Sequence, residues 1–153
     1  MFTMDDLFDI AIKMEKNGES VYMDSVGRMD RPDLKKVLQW MADEEAGHRE
    51  WFKTQKNKLK LEIDEQQLKE MVPGILHQMM EDKALSLDDI DFSQVKNIRD
   101  LMETFIGFEE DTILFYEMLD MFIDDPDVKQ GIDTILEEER KHIQNLREMI
   151  RKL

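Results

Sequence analysis

The chain repeats itself after 94 residues, and the repeat brings the same reactive side chains into register. No gap is needed in either half. The matching pairs are Glu15 and Glu109, Tyr22 and Tyr116, Pro32 and Pro126, Asp33 and Asp127, Glu45 and Glu139, and His48 and His142. A repeat of this kind predicts two similar halves that face each other across a pseudo-two-fold axis.

Each half holds one isolated glutamate and, 30 residues later, a Glu-x-x-His pair. On a helix, positions i and i+3 lie on one face, so the Glu and the His can bind the same object. Four carboxylates and two imidazoles in two-fold arrangement form the ligand set of a dimetal site within a four-helix bundle. The predicted metal ligands are Glu15, Glu45, His48, Glu109, Glu139 and His142.

Four segments show the periodicity of helices, with apolar residues at alternating steps of four and three. We expect helices at about residues 4–29, 33–59, 97–123 and 127–152, within a single domain of residues 1–153. Thr3-x-x-Asp6 is a capping arrangement for the first helix, and Pro32 and Pro126 suit the first turns of the second and fourth. Both Glu-x-x-His pairs interrupt stripes that are otherwise almost wholly apolar, so the predicted ligands point inward.

The second and third helices are separated by a long connection, at about residues 60–96. A connection of this length allows the third helix to begin again at the same end of the bundle as the first. We expect a short helix at 75–83 within it. Short links inside each half and one long crossover between the halves predict an all-α, ferritin-like four-helix bundle.

Composition excludes several classes of function. The formal net charge is −15, so nucleic acid and anionic membrane surfaces would be repelled. Cysteine is absent, which excludes disulfides, iron–sulfur ligation and thiol catalysis. The first residues are acidic where a signal peptide is basic and apolar, and no run approaches the ~20 apolar residues of a membrane span. We therefore expect a cytoplasmic protein.

The four inward carboxylates need positive charge beside them. Each would cost several kcal/mol if left ionised and uncompensated, in a domain stable by only ~5–15 kcal/mol. Lys and Arg are missing from the central layers of the four stripes. Two divalent metals balance the charge, and oxygen-rich ligands with one imidazole per metal suit iron or manganese. Glu45 and Glu139 are the expected bridges, with Glu15 and Glu109 as terminal ligands.

Simpler interpretations apply to the neighbouring residues. A single Glu-x-x-His is weak evidence for a metal, and only the duplication makes it specific. Tyr22 and Tyr116 are either core aromatics or donors to a metal-bound carboxylate of another helix, and their repetition favours the second role. A solvated acidic face is expected for Asp43, Glu44, Glu137 and Glu138. His77 lies in the crossover without a counterpart and is expected to be a surface or otherwise satisfied histidine.

At these residues the chain resembles the rubrerythrin branch of the ferritin-like superfamily. AIKMEKNGESVY and FIGFEEDTILFY are similar to its paired Glu-bearing helices, and DEEAGHREWF and EEERKHIQNL to its Glu-x-x-His helices. The likeness covers the chain except for the crossover. It implies a non-haem diiron centre that reacts with hydrogen peroxide or dioxygen, with the six predicted ligands holding two iron ions.

Two departures from the family pattern bear on function. Typical members add a rubredoxin domain with four iron-binding cysteines, so a chain without cysteine requires an external electron donor such as a rubredoxin. Peroxidase members also carry a further glutamate one turn after the third-helix ligand. Thr112 stands at that place here, which leaves a symmetric site closer to those of bacterioferritin-like proteins.

Three functions follow as expectations. The first is a diiron oxidoreductase, here expected as a homodimer, that reduces peroxide or dioxygen. The second is oxidation of ferrous ions at the same residues for iron handling or storage. The third is a metal-stabilised binding module without turnover.

Overall fold

The computed structural model describes residues 2–59, 62–64, 66, 70 and 97–153. The elements in chain order are β1 (Phe2–Thr3), α1 (Met4–Arg28), α2 (Pro32–Gln55), β2 (Glu62–Ile63), α3 (Ile98–Met121) and α4 (Pro126–Arg151). The two short strands pair antiparallel. The four predicted helices are therefore all present. The predicted short helix at 75–83 and His77 lie outside the described residues.

Local sequence signals begin the helices as expected. Thr3 and Asp6 form a capping box, in which the Asp6 N–H donates to Thr3 Oγ1 at 3.1 Å and the Thr3 N–H donates to Asp6 Oδ2 at 2.8 Å. Pro32 and Pro126 are the first residues of α2 and α4, where the missing N–H costs no hydrogen bond. The Asn97 side chain caps α3.

Helix α2 ends at Gln55, four residues before the predicted end at residue 59. Asn57 takes a left-handed conformation with φ of 70°, which a right-handed helix does not accommodate. Its N–H donates to Asp5 Oδ1 at 2.9 Å, at the start of α1. The apolar stripe continues to Leu59, which still packs on the core. The helix predicted from hydrophobic periodicity was therefore longer than the helix that the backbone forms.

Helices α1 and α3 run antiparallel, and the prediction that both begin at the same end of the bundle is wrong. Tyr22 contacts Glu109 and Tyr116 contacts Glu15, so residue numbers rise along one helix as they fall along the other. Helix α2 returns the chain to the start of α1, as the contact between Asn57 and α1 indicates. Helix α3 then begins at the opposite end of the bundle. The two halves are thus related by an axis that crosses the bundle.

The core consists of two apolar clusters, each built from all four helices. One contains Phe8, Phe52, Phe115 and Ile132, and the other contains Tyr22, Leu38, Phe105 and Leu146. The predicted ligands lie between these two clusters along every helix. No helix among the described residues is long and apolar enough to cross a membrane.

Candidate metal centre

All six predicted ligands lie in the layer between the apolar clusters. Each helix carries one of the four glutamates, and α2 and α4 add a histidine one turn after theirs. The glutamates and His142 are fully buried, and His48 is 4% exposed. Helical spacing places each Glu-x-x-His pair on one inward face, and the antiparallel packing brings the four faces together.

These side chains form two clusters that share two members. Glu15, Glu45, His48 and Glu139 offer ligand atoms within 4.8 Å of one another, and so do Glu45, Glu109, Glu139 and His142. Glu45 and Glu139, here termed the shared carboxylates, belong to both clusters. Glu15 and Glu109, the lone carboxylates, belong to one each. This placement is the one expected for two bridging and two terminal carboxylates.

Each imidazole turns Nδ1 toward the shared carboxylate of the opposite half. His48 Nδ1 lies 2.7 Å from Glu139 Oε1, and His142 Nδ1 lies 3.2 Å from Glu45 Oε1. Both rings are also 3.4 Å from the lone carboxylate of their own half. The short contact of His48 lacks hydrogen-bond geometry, and its Nδ1 has no hydrogen-bond partner among the described residues. The inner nitrogens therefore converge on the carboxylate oxygens.

The two tyrosines exchange hydrogen bonds between the halves. The Tyr22 hydroxyl donates to Glu109 Oε1 and the Tyr116 hydroxyl donates to Glu15 Oε1, each at 2.5 Å. Both tyrosines are fully buried. Burial, followed by the charge of the bonded glutamate, raises both tyrosine pKa values well above their ordinary value. Each hydroxyl thus keeps its proton and restrains one lone carboxylate of the other half.

Glu44 and Glu138, here termed the outer glutamates, were predicted to lie on a solvated face, but each contacts a histidine of the centre. Glu44 Oε1 lies 3.1 Å from His142 Nε2, and Glu138 Oε2 lies 3.1 Å from His48 Nε2. The side chains are 19% and 32% exposed. Their positions also differ by 94 residues, which is the signal that could have identified them. The neighbours Asp43 and Glu137 are exposed, as predicted.

Burial makes the ionised carboxylates costly. It raises the pKa of Glu45 well above its ordinary value, and the charges of Glu139, Glu15 and Glu109 raise it further. Burial and the charge of Glu139 raise the pKa of Glu109 in the same way. Burial also acts to raise the pKa of Glu139, but close contacts with Glu109 and the two histidines hold it well below the ordinary value. Without further positive charge, the cluster therefore retains protons.

The histidines supply part of that charge. Burial alone would lower both pKa values, but the charge of Glu15 and contacts with Glu138 and Glu139 raise that of His48 above its ordinary value. Contacts with Glu109, Glu139, Glu44 and Glu45 do the same for His142. Among the described residues, these imidazoles are the cationic partners of the four buried carboxylates.

The donor set fits a pair of divalent metal ions. Six carboxylate oxygens of the cluster have no hydrogen-bond partner in the described structure, although buried polar atoms are normally paired. They are Glu15 Oε2, both oxygens of Glu45, Glu109 Oε2 and both oxygens of Glu139. Carboxylate oxygens with an imidazole nitrogen suit iron and manganese. The shared carboxylates would contact both ions, and each half would add one lone carboxylate and one histidine.

Gly18 and Thr112 occupy matching positions beside the centre but differ in their contacts with its surroundings. A Cβ atom at Gly18 would lie only 2.8 Å from Glu45 Oε2, so the glycine leaves room for that carboxylate. Thr112 is buried, and its hydroxyl donates to the carbonyl of Phe108 on its own helix at 2.9 Å. The two halves of the centre therefore differ at this neighbouring position.

The geometry agrees with the family comparison. The rubrerythrin family model matches residues 6–150. The chain belongs to the rubrerythrin family. A crystal structure of a protein from Thermotoga maritima, described as ferritin-like and diiron-carboxylate, is similar over 98% of this chain and 95% of that chain, with a TM-score of 0.71 and 20% identity. At this identity the similarity establishes the ferritin-like fold alone. No curated protein matches the chain significantly.

Proposed function

We propose that this rubrerythrin-family protein is a diiron oxidoreductase that reduces hydrogen peroxide or dioxygen with electrons from a separate donor protein. The observation that carries the proposal is the pair of overlapping buried clusters, in which Glu45 and Glu139 are shared and six carboxylate oxygens lack hydrogen-bond partners within the part of the chain that the structure describes. Two iron ions held there would supply the Lewis acidity and the two electrons that cleavage of the O–O bond of peroxide requires.

The protein's own residues would hold and shield this chemistry. Glu45 and Glu139 would hold both metal ions, while Tyr22 and Tyr116 restrain the lone carboxylates. The apolar clusters above and below exclude water from the layer. Reduction of peroxide consumes two electrons and two protons and yields two water molecules. Since the chain has no cysteine with which to hold a second iron centre, the electrons come from another protein.

Oxidation of ferrous ions for iron handling is the second candidate, and Thr112 favours it. A glutamate at this place would give the centre an additional, asymmetric carboxylate. The Thr112 hydroxyl instead bonds to its own helix, so the ligand set is symmetric. A symmetric centre could take up ferrous ions as substrate and release them after oxidation.

Metal loading followed by oxidant addition tests the proposal. Protein purified without added metal is loaded with Fe²⁺ under anaerobic conditions, and two ions per chain are expected. One equivalent of hydrogen peroxide should then oxidise the centre much faster than it oxidises free Fe²⁺, as followed by near-ultraviolet absorption of the ferric centre. Oxidation no faster than that of free Fe²⁺ contradicts the proposal. Loading with Mn²⁺ in parallel measures the preference between the two metals.

A second arm separates the two candidate functions. With dioxygen and a large excess of Fe²⁺, an iron-handling protein oxidises many ions per chain, whereas the oxidoreductase stops after its bound pair unless a donor is present. Gel filtration adds an independent criterion. A homodimer is expected for the oxidoreductase, and a large closed shell would favour storage. A centre that binds metal but reacts with neither oxidant would instead indicate a binding module.

A further inference from the structure

The outer glutamates bond to the histidines across the boundary between the two halves. Glu44 lies on α2 but contacts His142 on α4, and Glu138 lies on α4 but contacts His48 on α2. The two rings stack between them, with centroids 6.3 Å apart and planes inclined by 22°. Both contacts measure 3.1 Å and obey the same two-fold relation as the predicted ligands. This arrangement links α2 and α4 at the level of the centre.

The two nitrogens of each ring have opposite surroundings. Nε2 faces an outer glutamate, while Nδ1 faces the buried carboxylate oxygens. An ionised carboxylate can only accept a hydrogen bond, so Nε2 must carry the proton in both contacts. A neutral imidazole with its proton on Nε2 has a lone pair on Nδ1 alone.

We propose that Glu44 and Glu138 are positioning residues that hold the proton of each histidine on Nε2 and so present Nδ1 to the metal pair. This inference rests on the proposed diiron function and extends it beyond the six ligands. Hydrogen bonds of this kind orient a ligating histidine and increase its basicity. Because each bond crosses from one half to the other, each metal position depends on a side chain from both halves.

The position of the outer glutamates makes this role testable without disturbing the core. Both line a surface groove of about 530 Å³ between α2 and α4, together with Trp40 and Lys141. One side of each carboxylate therefore faces solvent, and replacement leaves no sealed cavity. Asp43 and Glu137 precede them directly, are exposed, and contact Gln39 and Arg140 respectively. These neighbours are matched controls, since their removal changes the charge equally at almost the same place.

The experiment compares Glu44→Leu and Glu138→Leu with Asp43→Leu and Glu137→Leu. Affinity is measured by titrating metal-free protein with Co²⁺, whose absorption reports ligation. The two outer variants should bind about 10–100-fold more weakly than the wild type, and the controls should bind as the wild type does. Glu44→Gln should recover part of the loss, because its amide oxygen can still accept from Nε2.

A second measurement reports which nitrogen of each histidine carries the proton. In the Zn²⁺-loaded protein, two slowly exchanging imidazole Nε2–H signals are expected by ¹H–¹⁵N NMR. Glu44→Leu should remove protection at His142 alone, and Glu138→Leu at His48 alone. Leucine variants that bind Co²⁺ like their controls and keep both signals would overturn the inference while leaving the diiron proposal standing. A wild-type protein that binds no metal would overturn both.

Discussion

The two halves of the molecule agree at the metal layer and differ around it. They share the predicted ligands, the tyrosines, the outer glutamates and the prolines that begin α2 and α4. Away from this layer their packing diverges. Trp51 of α2 lies against Gly131 of α4, where a Cβ atom would meet the indole at 2.1 Å, whereas the counterparts are Asn145 and Val37. Many combinations of side chains pack closely, but few arrangements of side chains can bind two like ions.

The halves also differ next to the centre. Trp40 stands edge-on to the His142 ring with centroids 5.1 Å apart, while its counterpart is Thr134, whose hydroxyl donates to its own helix. Gly18 and Thr112 form the second unequal pair. The ligand geometry is therefore closer to two-fold symmetry than its surroundings are. Substitutions at matched positions in the two halves can show whether metal binding depends on the symmetric ligands alone or also on their unequal neighbours.

Removal of a carboxylate should give the largest effect and should separate shared from lone positions. Glu45→Leu and Glu139→Leu should abolish binding of both metals, since each side chain belongs to both clusters. Glu15→Leu and Glu109→Leu should lose chiefly one. Metal content after Fe²⁺ loading, measured by elemental analysis, checks the difference. Four variants with the same stoichiometry would contradict the division into shared and lone carboxylates.

Stability of the same variants provides a control. Both oxygens of Glu45 are buried without hydrogen-bond partners in the described ranges, and each unsatisfied buried group costs about 1–3 kcal/mol. Metal-free Glu45→Leu should therefore be more stable than the metal-free wild type in urea denaturation. A variant that loses metal because it is unfolded would give the opposite result.

The metal-free and metal-loaded proteins should respond to pH in opposite directions. The pKa values of Glu45 and Glu109 are raised in the folded state, chiefly by burial, so above pH ~4.5 the folded protein keeps protons that the unfolded chain has lost. Stability of the metal-free protein then falls as pH rises, by about 1.4 kcal/mol per pH unit for each retained proton. The raised pKa values of His48 and His142 extend this fall above pH ~6.5.

Metal reverses the slope because the ligands must lose protons to bind it. At a fixed free metal concentration, stability of the loaded protein should rise over the same range. Urea denaturation between about pH 5 and pH 8 measures both curves. This range lies above the ordinary pKa of Glu and includes the ordinary pKa of His. Metal-free Glu45→Leu should show a shallower fall than the wild type, since one retained proton is gone. A metal-free wild type that gains stability over this range would contradict the account.

Much of the fold could be predicted because its signals are local or repeated. Helical periodicity and the capping residues located four helices, and the repeat placed Glu15 and Glu109 inward. The direction of α3 could not be predicted in the same way, since the length of a connection does not determine the end at which the next helix begins. The end of α2 was missed because Leu59 continues the apolar stripe after Asn57 has left the helical conformation.

The outer glutamates show a different limit. Helical phase places Glu44 and Glu138 one residue away from the inward glutamates, at the border of the exposed face. Their partners lie on another helix, so nothing within α2 or α4 alone reveals the contact. Only the separation of 94 residues carried that information, and it also holds for the exposed pair Asp43 and Glu137. The relative position of α2 and α4 was needed to tell the two pairs apart.

Gly18 and Thr112 give the finest test of how unequal the halves are. A methyl group at Gly18 would meet Glu45 Oε2 at 2.8 Å. Because that oxygen ends a flexible side chain, the carboxylate rather than the backbone should move. Gly18→Ala should therefore weaken binding of Co²⁺ by roughly tenfold, near the lower end of the range for disturbed ligand positions. Thr112→Ala removes only a hydroxyl bonded to its own helix, and its affinity should stay near that of the wild type.

Stability decides whether a loss of affinity at Gly18 arises from the displaced carboxylate. Replacement of glycine by alanine within a helix is favourable by about 0.5–1 kcal/mol, and the Glu45 oxygen that the methyl group would meet ends a flexible side chain. Metal-free Gly18→Ala should therefore be at least as stable as the wild type even though it binds metal less tightly. Lower stability together with lower affinity would mean that the methyl group strains the packing of α1 against Phe108. Equal affinity in both alanine variants would mean that the halves are equivalent at this position despite their different residues.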